Sequence, residues 1–190
     1  MRRLIVGISG ASGAIYGIRL LEVLREIPGV ESHLVLSPSA RRTIADETDY
    51  EVPAIEALAD VVHPHRDIGA AISSGSFLTD GMIVAPCSIK TLSEIANSHN
   101  DNLITRAADV CLKERRTLVL VVRESPLHLG HLELMTSAAR YGAVILPPMP
   151  AFYNRPRTIG DIVDHTVGKA LDQFGIRFPG MKRWKDPLQA

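Results

Sequence analysis

Apolar and polar positions follow one another along this chain in two rhythms. Continuous apolar runs at 4–8, 33–36, 81–85, 117–122 and 144–146 read as short strands buried on both faces, with a weaker strand at 60–63. Between them, apolar residues recur at helical spacing over 14–26, 39–47, 88–97, 102–113, 131–141 and 158–175. In the first of these helices Ile15, Ile18, Leu21 and Leu24 make a buried stripe with Arg25 at its edge. Such strand–helix alternation predicts an α/β fold, a mostly parallel sheet covered by helices on both faces. A single domain is expected over 1–178. Residues 179–190, after Phe178-Pro-Gly, read as a tail that docks on the domain or on a neighbouring subunit.

Ligands of such sheets bind beyond the carboxyl ends of the strands, so the residues placed there carry the chemistry. The first strand runs into Ser9-Gly-Ala-Ser-Gly13 and then a helix. Small residues and a helix N-terminus make a turn compatible with phosphate, with the Ser9 and Ser12 hydroxyls aimed at a ligand. Gly7, Gly10 and Gly13 do not spell a dinucleotide fingerprint, and no Walker lysine follows. A tight turn without ligand is the competing account. Past the second strand stands Ser37-Pro-Ser39, where a nicotinamide dinucleotide site wants an acid for the ribose diol. A mononucleotide such as FMN therefore fits better than NAD. Other strand ends contribute Pro86-Cys-Ser-Ile-Lys-Thr91, Arg123 and Glu124, and the loop from Pro147 through Tyr153.

Composition narrows the classes. The 190 residues carry 21 basic and 21 acidic side chains, a balance that gives no reason to expect nucleic-acid or membrane binding. No apolar run reaches membrane-spanning length, and a strand from the third residue leaves no room for a signal peptide, so a cytoplasmic protein is expected. The two cysteines, Cys87 and Cys111, lack metal or redox spacing and read as reduced structural thiols. His128, His131 and Glu133 lack a third convincing ligand and read better as a capped helix start, while His63-Pro-His65 reads as loop. No metal is expected. Arg106 and Lys113, seven apart, share a helix face that is either solvated surface or, with Arg123, Tyr153 and Lys169, a second anionic pocket. Spacing leaves both open.

The segments Gly10-Ala-Ser-Gly13, Glu47-Thr-Asp49, Ser74-Gly-Ser76, Pro86-Cys-Ser-Ile-Lys-Thr-Leu92 and Arg106-Ala-Ala-Asp-Val110 resemble the UbiX/Pad family. So do Leu112-Lys-Glu114, Leu118-Val-Leu-Val-Val-Arg-Glu124, His131-Leu-Glu133, Gly142-Ala-Val-Ile-Leu-Pro147 and Phe152-Tyr153, in the family's order across nearly the whole chain. Members are flavin prenyltransferases, long described as subunits of aromatic-acid decarboxylases. The resemblance implies a flavodoxin-like, Rossmann-type three-layer sandwich assembled as a homododecamer. It implies a reaction joining the dimethylallyl group of dimethylallyl phosphate to N5 and C6 of reduced FMN, the product serving a decarboxylase of the UbiD type.

Carried onto this sequence, the resemblance places Gly10, Ala11, Ser12, Ser37, Ser88, Ile89, Lys90, Thr91 and Arg123 at the flavin, and Tyr153 and Lys169 at the prenyl phosphate. Arg106 and Lys113 match phosphate-contacting positions supplied across a subunit interface, and Arg123 joins them in stabilising the leaving group. Glu47 and Glu124 match an acidic pair near the phosphate, and Ser12 the position that assists proton removal at flavin N5. Trp184 matches an aromatic that covers the prenyl pocket, or else simply anchors the tail. Two further readings belong to other classes: a protein that carries FMN without modifying it, and a flavin-dependent cysteine decarboxylase of related fold. The latter relies on a histidine after an early strand, and none is evident here.

Overall fold

A computed structural model describes residues 1–185. Strand β1 (Arg2–Ile8) leads into helix α1 (Ala14–Glu26), β2 (Val30–Leu36), α2 (Pro38–Glu47), the short α3 (Val52–Glu56) and β3 (Val61–His63). Then come β4 (Gly81–Cys87), α4 (Ile89–Ala96), α5 (Leu103–Lys113), β5 (Thr117–Val122), α6 (Leu129–Arg140), β6 (Val144–Ile145) and α7 (Ile159–Asp172). Single 3-10 turns occupy Ala71–Ser73 and Phe152–Asn154.

All strand pairs are parallel, in the order β3-β2-β1-β4-β5-β6. The expected flavodoxin-like, Rossmann-type sandwich is therefore what the chain forms. Strand order reverses between β1 and β4, which defines the switch point where a crevice opens. The pleat sorts β1 into two cores: Leu4, Val6 and Ile8 face α1 and α7, while Ile5 faces the layer of α4, α5 and α6. β4 is buried at all seven positions, as a central strand covered on both faces must be.

Helix α1 lies unusually near the sheet. Gly17 faces the strands, and a Cβ there would meet the Ala85 carbonyl oxygen and come within 2.6 Å of Ile8 Cδ1. That near approach sets the height of the α1 N-terminus over the strand ends.

Several boundaries differ from the sequence pattern for identifiable reasons. β2 begins at Val30 because its polar residues are paired: Glu31 Oε1 accepts from Arg3 Nε at 2.9 Å, and Asp60 Oδ2 accepts from the Ser32 N–H at 2.7 Å. His63 closes β3 rather than lying in a loop, and stacks on buried His33 with ring nitrogens 3.0 Å apart. α6 starts at Leu129, two residues early, because the His128 ring accepts the Gly130 N–H. α7 stops at Asp172, followed by Gly175 with φ of 64°. α3 and the turn at Ala71–Ser73 are too short to show a period.

Both cysteines are free and buried, and burial raises their thiol pKa, that of Cys111 to about 12. Among the described residues no helix is long and apolar enough to cross a membrane. Phe178 and Met181 are buried against the α1–α7 core and Arg183 pairs with Asp172, so residues 178–183 lie along α7. The rest of the expected tail, 186–190, lies outside the described residues.

Replacing Gly17 by Ala gains helix propensity of about 1 kcal/mol, yet pushes a methyl into a backbone carbonyl. A net loss of about 1–3 kcal/mol is expected from overpacking. Chemical denaturation measures it; an unchanged midpoint would contradict the close approach.

Candidate active site

The crevice begins with one buried hydroxyl. Ser9, directly after β1, donates to the Pro86 carbonyl oxygen at 2.8 Å and accepts the Ser88 N–H at 2.8 Å. It is thus a stitch between the ends of β1 and β4, and does not point at a ligand as its place in the turn suggested. Burial leaves it no other partners.

The next turn carries Gly10, Ala11, Ser12 and Gly13. Gly13 caps α1 at φ 98° with no side chain of its own to offer, and its N–H donates to Glu47 Oε2 at 2.7 Å. Burial pulls the Glu47 pKa upward, but bonds from the Gly13 N–H, the Ser12 hydroxyl and the Ala14 N–H, with the charge of Arg123, outweigh it and hold the pKa below 4.5. An ionised carboxylate therefore occupies the α1 N-terminus. A phosphate there would meet a like charge, which corrects the expectation that this turn is itself the phosphate cradle.

Two other helix starts are open instead. Ser37 caps α2 by accepting the Ala40 N–H at 3.0 Å, with Pro38 in the first helical position. Ser88 caps α4 by accepting the Thr91 N–H at 3.2 Å. Both helix N-termini face one cavity of about 440 Å³ bounded by Gly10, Ser37, Ser88, Lys90 and Thr91. Their remaining first-turn N–H groups and positive dipole ends favour an anion. The opposite wall is His65, Arg66, Glu94, Asp101 and Asn102. No pattern in the sequence singles out His65 or Arg66 for this role, because only the pairing of β3 with β2 brings their loop to the crevice.

The remaining expected residues fall into distinct places. Ala11 is buried and Ser12 is engaged with Glu47. Ile89 turns its side chain into a groove toward α6, so only its backbone belongs to the α4 N-terminus. Lys90 is largely exposed and lies 3.5 Å from Glu94. Arg123 follows β5 and is near enough to Glu47 and Tyr16 to lower both pKa values, although burial leaves that of Tyr16 raised overall. Glu124 is exposed and accepts the Ser125 N–H at 3.0 Å; no hydrogen bond joins it to Glu47 among the described residues.

Two sets stand apart. Tyr153 and Lys169 lie with His165 and Trp184: Tyr153 Oη is 3.0 Å from His165 Nε2, its ring meets Trp184 edge-on at 5.6 Å, and Lys169 is 3.9 Å from Asp172. Arg106 and Lys113 sit on α5. Arg106 Nε donates to the Ser73 carbonyl oxygen at 3.2 Å and its guanidinium pairs with Asp109, while Lys113 pairs with Glu114. α5 starts at Asn102 on the cavity wall and ends near the start of β5, so Lys113 is roughly 16 Å along the axis from the crevice. Within one chain Lys113 does not reach Ser12. Among the described residues no three His, Cys, Asp or Glu side chains converge as a metal site.

A parallel sheet with an anion-favouring crevice at its switch point, and no acid placed for a ribose diol, is the architecture of a mononucleotide-binding flavoprotein. The family described as Flavoprotein matches residues 1–171. The flavin prenyltransferase UbiX of Escherichia coli K12 is 62% identical over 187 residues, covering 97% of this chain and 99% of that protein. Two crystal structures, each with a TM-score of 0.95 over 97% of this chain, carry the likeness into three dimensions. One is the dodecameric FMN-dependent UbiX-like decarboxylase of Escherichia coli O157:H7, 55% identical and covered completely; the other is AnUbiX (PadA1) in complex with FMN and dimethylallyl pyrophosphate, 51% identical and 98% covered. The chain belongs to the UbiX/Pad family of flavin prenyltransferases. The peptidyl-cysteine decarboxylase EpiD shares the fold alone, at 14% identity and a TM-score of 0.65 over 93% of this chain and all of its own.

Glu47 has a depressed pKa in the folded state, so its stabilising contribution is present above 4.5 and is lost as the pH falls through the folded value. Because the side chain is exposed, that contribution stays below about 1 kcal/mol. Glu47→Gln should lower the unfolding midpoint slightly at neutral pH, by a margin that closes in acid. A margin independent of pH would contradict the ionised cap.

Proposed function

We propose that this chain transfers the dimethylallyl group of dimethylallyl phosphate to N5 and C6 of reduced FMN, as a homododecamer in the cytoplasm, and hands the prenylated flavin to a UbiD-type decarboxylase. The observation that carries the reading is the crevice at the β1–β4 switch point, where hydroxyl-capped N-termini of α2 and α4 converge beside Gly10. The flavin phosphate belongs at those N-termini, in reach of Ser37, Ser88 and the N–H groups of Ile89 and Lys90. The isoalloxazine edge then lies toward Gly10, Ala11, Ser12 and Arg123, where Glu47 and Ser12 are already joined and poised to move a proton at N5.

Breaking the allylic C–O bond places charge on a leaving phosphate. Arg106, Lys113, Arg123 and Lys169, with Tyr153, are the groups assigned to hold it, each well-placed donor contributing about 2.7–4 kcal/mol to the barrier. Side-chain cations supply that stabilisation, so the reading needs no metal. Since Lys113 stands eleven residues along α5 from the cavity-lining Asn102, the reading draws Arg106 and Lys113 from a neighbouring subunit. Glu124 is the group the reading assigns to exchange a proton with the phosphate in the ring-closing step.

Incubation with reduced FMN and dimethylallyl phosphate without oxygen, followed by mass spectrometry, tests this. A flavin heavier by one C5H8 unit is expected. Unmodified FMN would mark a carrier, and loss of CO2 from a cysteinyl peptide the decarboxylase class. Lys113→Ala and Glu124→Gln should each leave flavin bound yet abolish prenylation; unchanged turnover in either removes that residue from the mechanism.

A further inference from the structure

His165 is the residue that the sequence left without a role and the structure gives a specific partner. It lies on α7 one turn before Lys169, and its Nε2 is 3.0 Å from Tyr153 Oη, with the rings 5.9 Å apart and nearly perpendicular. On its other side the Tyr153 ring meets Trp184 edge-on. Tyr153 is therefore clamped, and the one polar group that fixes its hydroxyl is an imidazole. Among the described residues the Nδ1 of His165 makes no hydrogen bond and is not sealed off as a buried unpaired atom, which leaves it open to exchange protons with water.

This pair has two arrangements of opposite use to an anion. With His165 neutral and its proton on Nδ1, Nε2 accepts the Tyr153 O–H, and the phenol turns its proton away from any phosphate. With a proton on Nε2, in the other neutral tautomer or in the imidazolium, Nε2–H donates to Tyr153 Oη, and only the imidazolium is confined to that direction. The phenolic proton is then released to donate outward. We propose that His165 is a positioning residue that sets the direction of the Tyr153 hydroxyl, so that binding of the prenyl phosphate at Tyr153 and Lys169 is coupled to proton uptake by His165. The inference rests on the reading that Tyr153 holds that phosphate.

The surroundings support the direction of the coupling. Burial and the neighbouring Lys169 hold the His165 pKa below its ordinary 6.5, partly offset by Asp172. Asp172 is itself shared between Arg183 and Lys169. From the end of the chain Lys185 stands over the Trp184 ring. α1, packed against α7, presents Arg19 and Glu22, which are committed to each other and, through Arg19, to Asp164. Without ligand the imidazole is thus neutral near neutral pH, and its Nε2 is able to accept the Tyr153 O–H. A phosphate dianion brings negative charge that opposes Lys169 and favours the imidazolium. The donor set at the phosphate then becomes Lys169 Nζ together with Tyr153 O–H.

The test is the pH dependence of KM for dimethylallyl phosphate between about pH 5 and 8, in the assembled enzyme with reduced FMN. The wild-type profile contains the titration of the phosphate itself, so the comparison with variants decides. His165→Gln offers an amide to Tyr153 with no proton to gain or lose between those pH values. It should keep the low-pH KM and lose the added rise toward pH 8. His165→Leu removes both the acceptor that draws the phenolic proton inward and the group that titrates, so its KM should likewise lose the added rise toward pH 8, with kcat moved far less. Tyr153→Phe separates the premise from the inference. An unchanged KM in Tyr153→Phe overturns both the phosphate role of Tyr153 and the coupling. A raised KM in Tyr153→Phe, with both His165 variants following the wild-type profile, overturns the coupling alone.

Discussion

One buried hydroxyl holds the arrangement on which the rest depends. Ser9 ties the carbonyl of Pro86 to the N–H of Ser88, and so fixes the ends of β1 and β4 against each other at the place where strand order reverses. Without that hydroxyl the Ser88 N–H would lack its partner, at a cost of about 1–3 kcal/mol, and the Pro86 carbonyl would keep only the Ser9 N–H. The stitch also decides where the N-terminus of α4 points. Since α4 begins at the residue after Ser88, its open N–H groups are delivered to the same cavity that α2 reaches from Ser37. Gly17 sets α1 hard against the strands on the other side, and Glu47 closes the α1 N-terminus. Three helix starts surround the crevice, and the protein's own carboxylate neutralises one of them. That asymmetry leaves the N-termini of α2 and α4 as the ends that favour an anion.

Much of this was legible in the sequence. The central strands announce themselves because burial on both faces leaves no polar position to interrupt them, as in β4. The alternating elements yield the parallel sheet, and Ser37 in place of an acid favours a mononucleotide over a dinucleotide. β2 was harder, because its first residues are polar for a reason that periodicity does not see: Glu31 and Ser32 are partnered by Arg3 and Asp60 from other strands and loops. Ser9 and Ser12 look alike in sequence, yet the first is sealed between strands and the second reaches Glu47. Only the tertiary path of α2, which returns Glu47 to Gly13, separates them. His65 and Arg66 were invisible for the same reason. They reach the cavity through the pairing of a three-residue edge strand, β3.

The motifs that resemblance gathers into one active site lie in three places on a single chain. The crevice bounded by Gly10, Ser37 and Ser88 is formed by residues of one chain. Tyr153 and Lys169 form a separate outward group with His165 and Trp184, and Arg106 and Lys113 ride the outer face of α5. Helix geometry forces the last separation, since α5 buries Ile104, Ala107, Ala108 and Cys111 against the sheet and leaves its cations facing away. Under the proposed reading, a phosphate site built from all three places draws on more than one copy of the chain.

Subunit complementation tests that requirement most directly. Lys113→Ala and Arg123→Ala chains, each inactive alone, would be co-assembled from dissociated subunits and assayed for prenylated flavin. Sites shared between copies predict that the mixture regains activity, because some crevices with intact Arg123 then face a neighbour with intact Lys113. A mixture as inactive as its two components would contradict the account.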